Sequence, residues 1–192
     1  MMYSRSTWRL LVVIGLVILG AATAAGLFAN AGPNQDPATQ PPAPAEVTLK
    51  PIKYQQLIDA VKAQKGNVVV VDVWATYCAP CKKEFPSFVK LHERRAKDGV
   101  VCISVCVDSK DLQGEALKYL KKQNATSTNY WLDEEPDLWA GKWKVKKGVP
   151  LAFVFDRQGK IAKKFDNEND KADPFTYDDV NKVVDGLLKP GF

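Results

Sequence analysis

Two cysteines, Cys78 and Cys81, lie three residues apart where a hydrophobic run gives way to a helical pattern. Thiolate is the reactive form of cysteine, and the free N–H groups and dipole at a helix N-terminus favour it. Cys78 is therefore predicted to lose its proton easily and to be reachable from solvent. Cys81, one turn into the helix, should lie within bonding distance and be more shielded, while Pro80 holds the helix start rigid. This spacing predicts thiol-disulfide exchange, in which Cys78 attacks a substrate disulfide and Cys81 resolves the mixed disulfide.

The elements around this pair predict an α/β domain. Residues 67–74 are largely β-branched and almost continuously hydrophobic, as expected of a central strand buried on both faces. A helix over 78–97, with Pro86 as a kink, and a strand over 100–107 complete a β-α-β unit. The other predicted elements are a helix near 54–61, a helix over 112–122, a strand over 129–132, a hairpin of strands 151–155 and 160–165, and a helix over 177–188. Parallel crossovers followed by a hairpin predict a mixed central β-sheet flanked by helices.

The sequence WATYCAPC, from Trp74 to Cys81, resembles the active site of the thioredoxin superfamily. Together with the export signal described below, it makes the chain most similar to the TlpA/ResA-like branch of membrane-tethered or exported thiol-disulfide oxidoreductases, over residues 47–190. The resemblance implies a thioredoxin-like fold and the reduction of disulfides in other exported proteins, as in tethered reductants of cytochrome c maturation. It also implies protein disulfide substrates, a membrane or exported redox partner, and no cofactor.

Three further positions fit that family pattern, and a fourth departs from it. Val149-Pro150 matches the family's cis-proline, which lies opposite the cysteines and presents backbone groups to a substrate; a trans proline opening an edge strand is the alternative. Asp72 matches an acid that lies beneath the resolving cysteine and helps move its proton; the alternative is an Asp at a strand end that reaches solvent or caps the backbone. Trp74 matches a tryptophan that packs beside the site, and we group it with the substrate-binding residues. Tyr77 stands where the family commonly has a second tryptophan, which alters the rim that a partner meets.

The first 31 residues predict an export signal. Arg5 and Arg9 form a basic region ahead of a hydrophobic stretch over 10–29, and residues 29–31 offer a small-x-small cleavage site. About 20 apolar residues also suffice to cross a bilayer, so the segment is either a cleaved signal peptide or a retained anchor, and we favour the anchor. In both cases the remainder is expected on the exported, periplasmic or cell-surface side, tethered to the inner membrane by residues 10–29 if uncleaved.

Composition limits the rest of the chain to one domain and a spacer. Residues 32–46 are rich in Pro, Ala and polar residues and predict an extended linker, which leaves 47–192 as a single domain. The net charge of +5 is modest, and lysines alternate with acidic residues without a basic stripe that could follow a phosphate backbone. Nucleic acid is therefore not an expected partner.

The other two cysteines, Cys102 and Cys106, fall in the predicted strand 100–107. On one face of a strand their α-carbons would be about 13 Å apart, too far for a disulfide, so we expect buried thiols that pack as small hydrophobic groups. A zinc site formed by all four cysteines is an alternative, but this pair lies in a hydrophobic run rather than a turn. Copper delivery by the same cysteines is another alternative, which would need a histidine near them. His92, the only histidine, is expected on a solvated helix face, and no metal site is predicted.

Two later clusters are expected to have structural roles. Aromatic residues expected to pack in the core or at its rim are Tyr130, Trp131, Trp139 and Trp143. Acidic residues expected at the start of a short helix, where they would stabilise its dipole, are Asp133, Glu134, Glu135 and Asp137. A third functional alternative is a non-catalytic adaptor in which Cys78 and Cys81 form a static clamp, and the predicted exposure of Cys78 argues against it.

Overall fold

The structure is a computed structural model that describes residues 46–146, 148–166 and 175–189. The predicted signal or anchor lies outside these ranges, as does all but the last residue of the predicted linker. Within the described residues, no helix is long and hydrophobic enough to cross a membrane.

The described residues form one six-stranded sheet and five α-helices. The strands are β1 Lys50–Ile52, β2 Val68–Trp74, β3 Val100–Cys106, β4 Thr128–Leu132, β5 Leu151–Phe155 and β6 Ile161–Phe165. The helices are α1 Tyr54–Lys62, α2 Ala79–Arg95, α3 Gln113–Lys122, α4 Pro136–Trp143 and α5 Tyr177–Leu188. Short 3-10 turns occupy Ala96–Asp98 and Lys110–Leu112.

The strands lie in the order β1-β4-β3-β2-β5-β6. The first four strands in that order are parallel, whereas β5 runs antiparallel to β2 and β6 runs antiparallel to β5. The predicted mixed sheet is confirmed, and it arises as expected from parallel crossovers followed by the β5-β6 hairpin.

Strand β2 lies at the centre of the core. All seven of its residues are buried, and Val71 pairs with Ile103 of β3 on one side and with Phe153 of β5 on the other. Its β-branched side chains suit a strand covered on both faces. The chain leaves the carboxyl end of β2 at the edge where α2 begins.

Helix α2 packs against β3 and against α5. Its buried side includes Phe85 and Phe88, as the hydrophobic pattern predicted, and Pro86 lies inside the helix. The Phe88 ring centroid is 5.9 Å from that of Tyr177, the first residue of α5. This contact places the start of α5 beside the middle of α2.

The structure differs from the sequence prediction mainly at element ends. The helix predicted over 78–97 ends as an α-helix at Arg95 and continues as a 3-10 turn, closed by Gly99 with a positive φ of 81°. Strand β1 was not predicted, because three residues that include Pro51 are too short to show alternation. It adds at the edge of the sheet, where a proline is tolerated.

Candidate active site

Cys78 and Cys81 form a disulfide at the start of α2. Their α-carbons are 5.3 Å apart, and Cys78 is the N-cap residue of the helix. The Cys81 backbone N–H donates to Cys78 Sγ at 3.2 Å, so one free donor of the first turn already points at this sulfur. The predicted bonding distance and the predicted position of Cys78 at a helix N-terminus are both confirmed.

The expected difference in exposure between the two cysteines is not found. Cys78 is 6% exposed and Cys81 is 5% exposed, because the disulfide packs against the hydrophobic core. In this oxidised form, the prediction of a solvent-reachable Cys78 is wrong. The assignment of Cys78 as the attacking residue therefore depends on its place at the helix terminus and not on its exposure.

The peptide bond between Val149 and Pro150 is cis, as the family resemblance implied. It directly precedes β5, whose first residue, Leu151, pairs with Val73 near the end of β2. Pro150 is buried and lines a small cavity together with Cys81, while Val149 is half-buried. The sheet register thus brings this proline beside the cysteine pair, from about 70 residues further along the chain.

Asp72 is buried within β2, with 6% of its surface exposed. Its Oδ1 accepts a hydrogen bond from the Tyr177 hydroxyl at 2.6 Å. Burial raises the pKa of Asp72 to about 7; the Tyr177 hydrogen bond opposes this shift and the nearby charge of Glu84 adds to it. The alternative of an Asp at a strand end that reaches solvent is wrong, because the residue lies inside the strand and faces a cavity that Cys81 also lines.

Glu84, Phe175 and Tyr177 also line the cavity beneath Cys81, and none of them was predicted as a site residue. Glu84 Oε2 accepts the Tyr177 backbone N–H at 2.9 Å. Glu84 could have been found, since it lies one helical turn after Cys81 and so on the same face of α2. Nothing in the local sequence pointed to Tyr177. The cavity gives the centre of a water molecule about 10 Å³ of space. This volume is close to the minimum that one bound water requires.

Trp74 and Tyr77 have different environments, although both were predicted to contact substrate. Trp74 is completely buried, and its ring centroid lies 5.2 Å from those of Phe85 and Tyr119. It packs beside the site as expected, but a fully buried side chain cannot meet a substrate, so its grouping with the binding residues is wrong. Tyr77 is 69% exposed, next to Cys78.

Asp108 fixes the loop that carries the cysteines, a role the sequence analysis missed. Its carboxylate accepts the Thr76 backbone N–H at 2.9 Å and the Thr76 hydroxyl at 3.1 Å. The same carboxylate lies 3.1 Å from the Cys106 thiol, and Asp108 is 3% exposed. The segment that follows β3 therefore holds the backbone two residues before Cys78.

Cys102 and Cys106 are free, buried thiols on β3, as predicted. Burial raises the pKa of Cys102 to about 12, and it raises that of Cys106 even further. His92 is half-buried rather than solvated, and burial lowers its pKa. In the described part of the chain, no three His, Cys, Asp or Glu residues are grouped so that they could hold a metal ion.

The later aromatic cluster packs as predicted. Trp131, Trp139 and Trp143 are buried, and the Trp131 Nε1–H donates to the Asp108 carbonyl oxygen at 2.7 Å. The Trp143 ring centroid lies 5.7 Å from that of Phe153 on β5. Tyr130 is half-buried on β4.

The acidic cluster is only partly a helix-start group. Glu135 is the N-cap of α4 and Asp137 lies in its first turn, as expected. Asp133 instead forms a 2.8 Å ion pair with Lys53, and Glu134 accepts the Tyr54 backbone N–H at 3.2 Å. Those two carboxylates therefore join the start of α1 to the end of β4, a contact that the sequence spacing does not indicate.

A mixed sheet flanked by helices, with a Cys-x-x-Cys disulfide at a helix N-terminus and a cis-proline beside it, defines a thioredoxin-like protein. A sequence model of the AhpC/TSA family matches residues 42–180, so the chain belongs to the AhpC/TSA family.

Relatives and solved structures agree with this class. The chain is 29% identical over 184 residues to the thiol:disulfide interchange protein HelX of Rhodobacter capsulatus, covering 93% of this chain and 95% of that protein. It is 33% identical over 123 residues to the thiol:disulfide interchange protein DsbE homolog of Paracoccus denitrificans, covering 62% and 60%. The crystal structure of a thioredoxin family thiol:disulfide interchange protein from Chlorobium tepidum has the same fold, with a TM-score of 0.51 at 23% identity over 66% of this chain and 83% of that one.

Proposed function

We propose that this chain is a thiol-disulfide oxidoreductase that reduces disulfides in exported proteins. The observation that carries the proposal is the Cys78-Cys81 disulfide at the N-terminus of α2, beside the cis peptide bond of Pro150. A helix N-terminus favours the thiolate of the first cysteine, and the second lies within bonding distance. The names of the relatives, thiol:disulfide interchange proteins, support the same chemistry.

The reaction begins from the reduced protein. The Cys78 thiolate attacks one sulfur of a substrate disulfide, forms a mixed disulfide and releases the other substrate sulfur as a thiolate, which takes up a proton. Cys81 then loses its proton to the Asp72 carboxylate across the small cavity that both residues line. The Cys81 thiolate attacks Cys78 Sγ, the bond to the substrate breaks, and the Cys78-Cys81 disulfide forms. Two electrons have passed to the substrate, so an exported or membrane partner must reduce the pair again.

The substrate surface in this proposal consists of Tyr77 and the Val149-Pro150 segment. Tyr77 is the large exposed side chain next to Cys78, and it can pack against a bound peptide. Val149 is half-buried and precedes the cis bond beside Cys81, so its backbone can meet an extended substrate segment. Because Tyr77 is exposed next to Cys78 but carries no reacting sulfur, it should affect which partners bind more than it affects the exchange reaction.

Export and a reducing direction belong to the same proposal. The hydrophobic N-terminal stretch supports export, with residues 10–29 as an anchor that keeps the domain at the membrane. The direction of electron flow is tested by equilibrating the Cys78-Cys81 pair with glutathione buffers. We expect a potential more reducing than that of glutathione, and a value equal to it or more oxidising would overturn the reductant assignment.

The order of attack is tested by single substitutions in cells. Cys78→Ser should abolish exchange, because it removes the attacking sulfur, whereas Cys81→Ser should accumulate mixed disulfides that cannot be resolved. These species would be detected as adducts that disappear on reduction. Cys102→Ala is the matched control, since it removes a buried thiol on β3 and should leave turnover intact. If Cys81→Ser traps no partner while Cys78→Ser does, the assigned roles are reversed.

A further inference from the structure

Tyr177 contacts two carboxylates beneath Cys81 at the same time. Its hydroxyl donates to Asp72 Oδ1 at 2.6 Å, and its backbone N–H donates to Glu84 Oε2 at 2.9 Å. The residue is 1% exposed and belongs to α5, whereas Asp72 lies on β2 and Glu84 on α2. A single residue of the last helix thus connects the two acidic side chains that line the cavity.

We propose that Tyr177 is a positioning residue for the proton transfer at Cys81: its hydroxyl orients the Asp72 carboxylate toward the cavity and stabilises its ionised form. The inference rests on the proposed function, because it concerns the step in which Asp72 accepts the Cys81 proton. Tyr177 would touch neither substrate nor the reacting sulfurs, and it would act through Asp72 alone.

The position of the Tyr177 side chain is fixed by its surroundings. Its ring packs edge-on against Phe88 of α2, with 5.9 Å between ring centroids. Directly before it, Thr176 is the N-cap of α5, and its backbone N–H and hydroxyl both donate to Asp179, which fixes the first turn of the helix. The hydroxyl is therefore held in place before any proton moves.

The Tyr177 hydroxyl also stays protonated, so it remains a hydrogen-bond donor. Burial, together with the neighbouring Asp72, raises the pKa of Tyr177 well above its usual value, so the phenol stays protonated. A hydrogen bond to a carboxylate stabilises the ionised form, and charge-assisted bonds are the stronger ones. In the described part of the chain, Tyr177 is the residue that donates such a bond to Asp72.

Five ionisable groups near Asp72 could affect its pH response. They are Cys81 and Glu84 from α2, Cys102 from β3, Tyr119 from α3 and Tyr177 from α5. Glu84 acts against ionisation of Asp72, since its negative charge raises the Asp72 pKa. Tyr119 donates its hydroxyl to the Lys82 carbonyl oxygen instead of to a carboxylate. Tyr177 is therefore the group whose removal should change the proton affinity of Asp72 directly.

The test follows the two steps of exchange separately. The reduced full-length chain, kept in detergent, is mixed in a stopped-flow instrument with an aryl disulfide that releases a coloured thiolate. The first release reports attack by Cys78, and the second reports resolution by Cys81. The rate of the second phase should rise with pH as Asp72 becomes ionised and able to accept a proton.

Tyr177→Phe should move the midpoint of the second phase to higher pH by about one unit, because the lost bond stabilised the carboxylate. With a wild-type midpoint near pH 7, the second phase should then be about fivefold slower at pH 7 and about tenfold slower at more acidic pH. It should recover at high pH, where Asp72 is ionised in both proteins. A residue that only supports the fold would lower stability without moving the midpoint. Asp72→Asn should remove this pH dependence, and adding Tyr177→Phe to it should have no further effect on the second phase.

Tyr119→Phe is the matched control, since it also removes one hydroxyl from the neighbouring aromatic cluster. Its midpoint should stay at the wild-type value, because the lost bond ends on a backbone carbonyl. If Tyr177→Phe keeps the wild-type midpoint, the inference about Tyr177 is overturned while the exchange function stands. If the wild-type protein shows no second phase, the proposed function itself fails.

A measurement on the wild-type protein covers the case in which Tyr177→Phe does not fold. The ring resonances of Tyr177 should shift with pH at the midpoint of Asp72 ionisation, as followed by NMR through the Asp72 carboxyl carbon. In Asp72→Asn this titration should vanish. A Tyr177 ring that does not respond to Asp72 would show that the hydroxyl contact is absent in solution, and it would overturn the positioning role of Tyr177.

Discussion

Replacing Asp72 by asparagine should make the folded protein more stable at alkaline pH, because the native carboxyl group ionises at a cost. Burial raises the pKa of Asp72 from 3.8 to about 7 in the folded protein. Between these two values, the folded state holds a proton that the unfolded state has lost. Stability therefore falls as the pH rises through this window, and it is lowest above pH 7. Asparagine carries no charge and can still accept the Tyr177 hydroxyl, so it escapes this loss.

The size of the effect follows from the pKa difference. A difference of about three units corresponds to about 4 kcal/mol, at 1.36 kcal/mol per unit, and relaxation around the charge makes this an upper limit. The free energy of unfolding of the oxidised wild-type protein and of Asp72→Asn is measured in urea at pH 4 and pH 8. The variant should gain up to about 4 kcal/mol over the wild type between these two pH values.

The comparison between variants removes the contribution of other titrating groups. Asp59→Asn is the control, because Asp59 is exposed on α1 and its carboxylate accepts a hydrogen bond from the side chain of Gln55. It should follow the wild-type pH dependence. If Asp72→Asn and the wild type differ by the same amount at both pH values, Asp72 is not a buried carboxyl with a raised pKa. Its role as the proton acceptor for Cys81 would then be refuted.

Three further predictions concern the surroundings of the cysteine pair. Asp108→Ala should lower the free energy of unfolding by about 3 kcal/mol in urea titrations, because it leaves the N–H and hydroxyl of Thr76 without their acceptor. Thr76→Val loses only the hydroxyl bond and should lower the free energy of unfolding by about 1 kcal/mol. Equal losses in the two variants would contradict the role of the carboxylate. Tyr77→Ala should leave the melting temperature unchanged, because the side chain is 69% exposed. It should slow the reduction of protein disulfides more than the reduction of small aryl disulfides. Equal slowing of both reactions would exclude Tyr77 from partner binding. In the folded, oxidised protein no thiol should react with an aryl disulfide at pH 8, because Cys102 and Cys106 are buried and their pKa values are raised. After denaturation, two thiols should react. Rapid labelling of the folded protein would contradict the burial of these two cysteines.

Much of the fold was predictable because its signals are local. The continuous β-branched run of β2 indicated a strand covered on both faces, and the structure buries all seven residues. The turn between Phe155 and Ile161 indicated the hairpin, and the hydrophobic spacing of α5 gave its bounds as Tyr177–Leu188. Strand β1 could not be found in this way, because it becomes a strand only through pairing with β4.

In the candidate site, too, the features set by local sequence were predictable and those set by tertiary packing were not. The spacing of Cys78 and Cys81 and their place between a strand and a helix were sufficient to predict a disulfide, which the structure contains. The burial of Cys78 was not predictable, because exposure depends on what packs around the pair. The full burial of Trp74 was missed for the same reason, since Phe85 and Tyr119 cover it from two different helices.

The sequence by itself determined the chemistry of this protein: two thiols one helical turn apart, an acidic residue inside a buried strand, and a proline ahead of a later strand. Only the tertiary structure decided what surrounds them. Tyr177 reaches Asp72 across 105 residues of chain, and Asp108 holds Thr76 across 32. Such contacts depend on the order and register of the strands and on how the helices pack over them, and residue spacing along the chain carries no record of either.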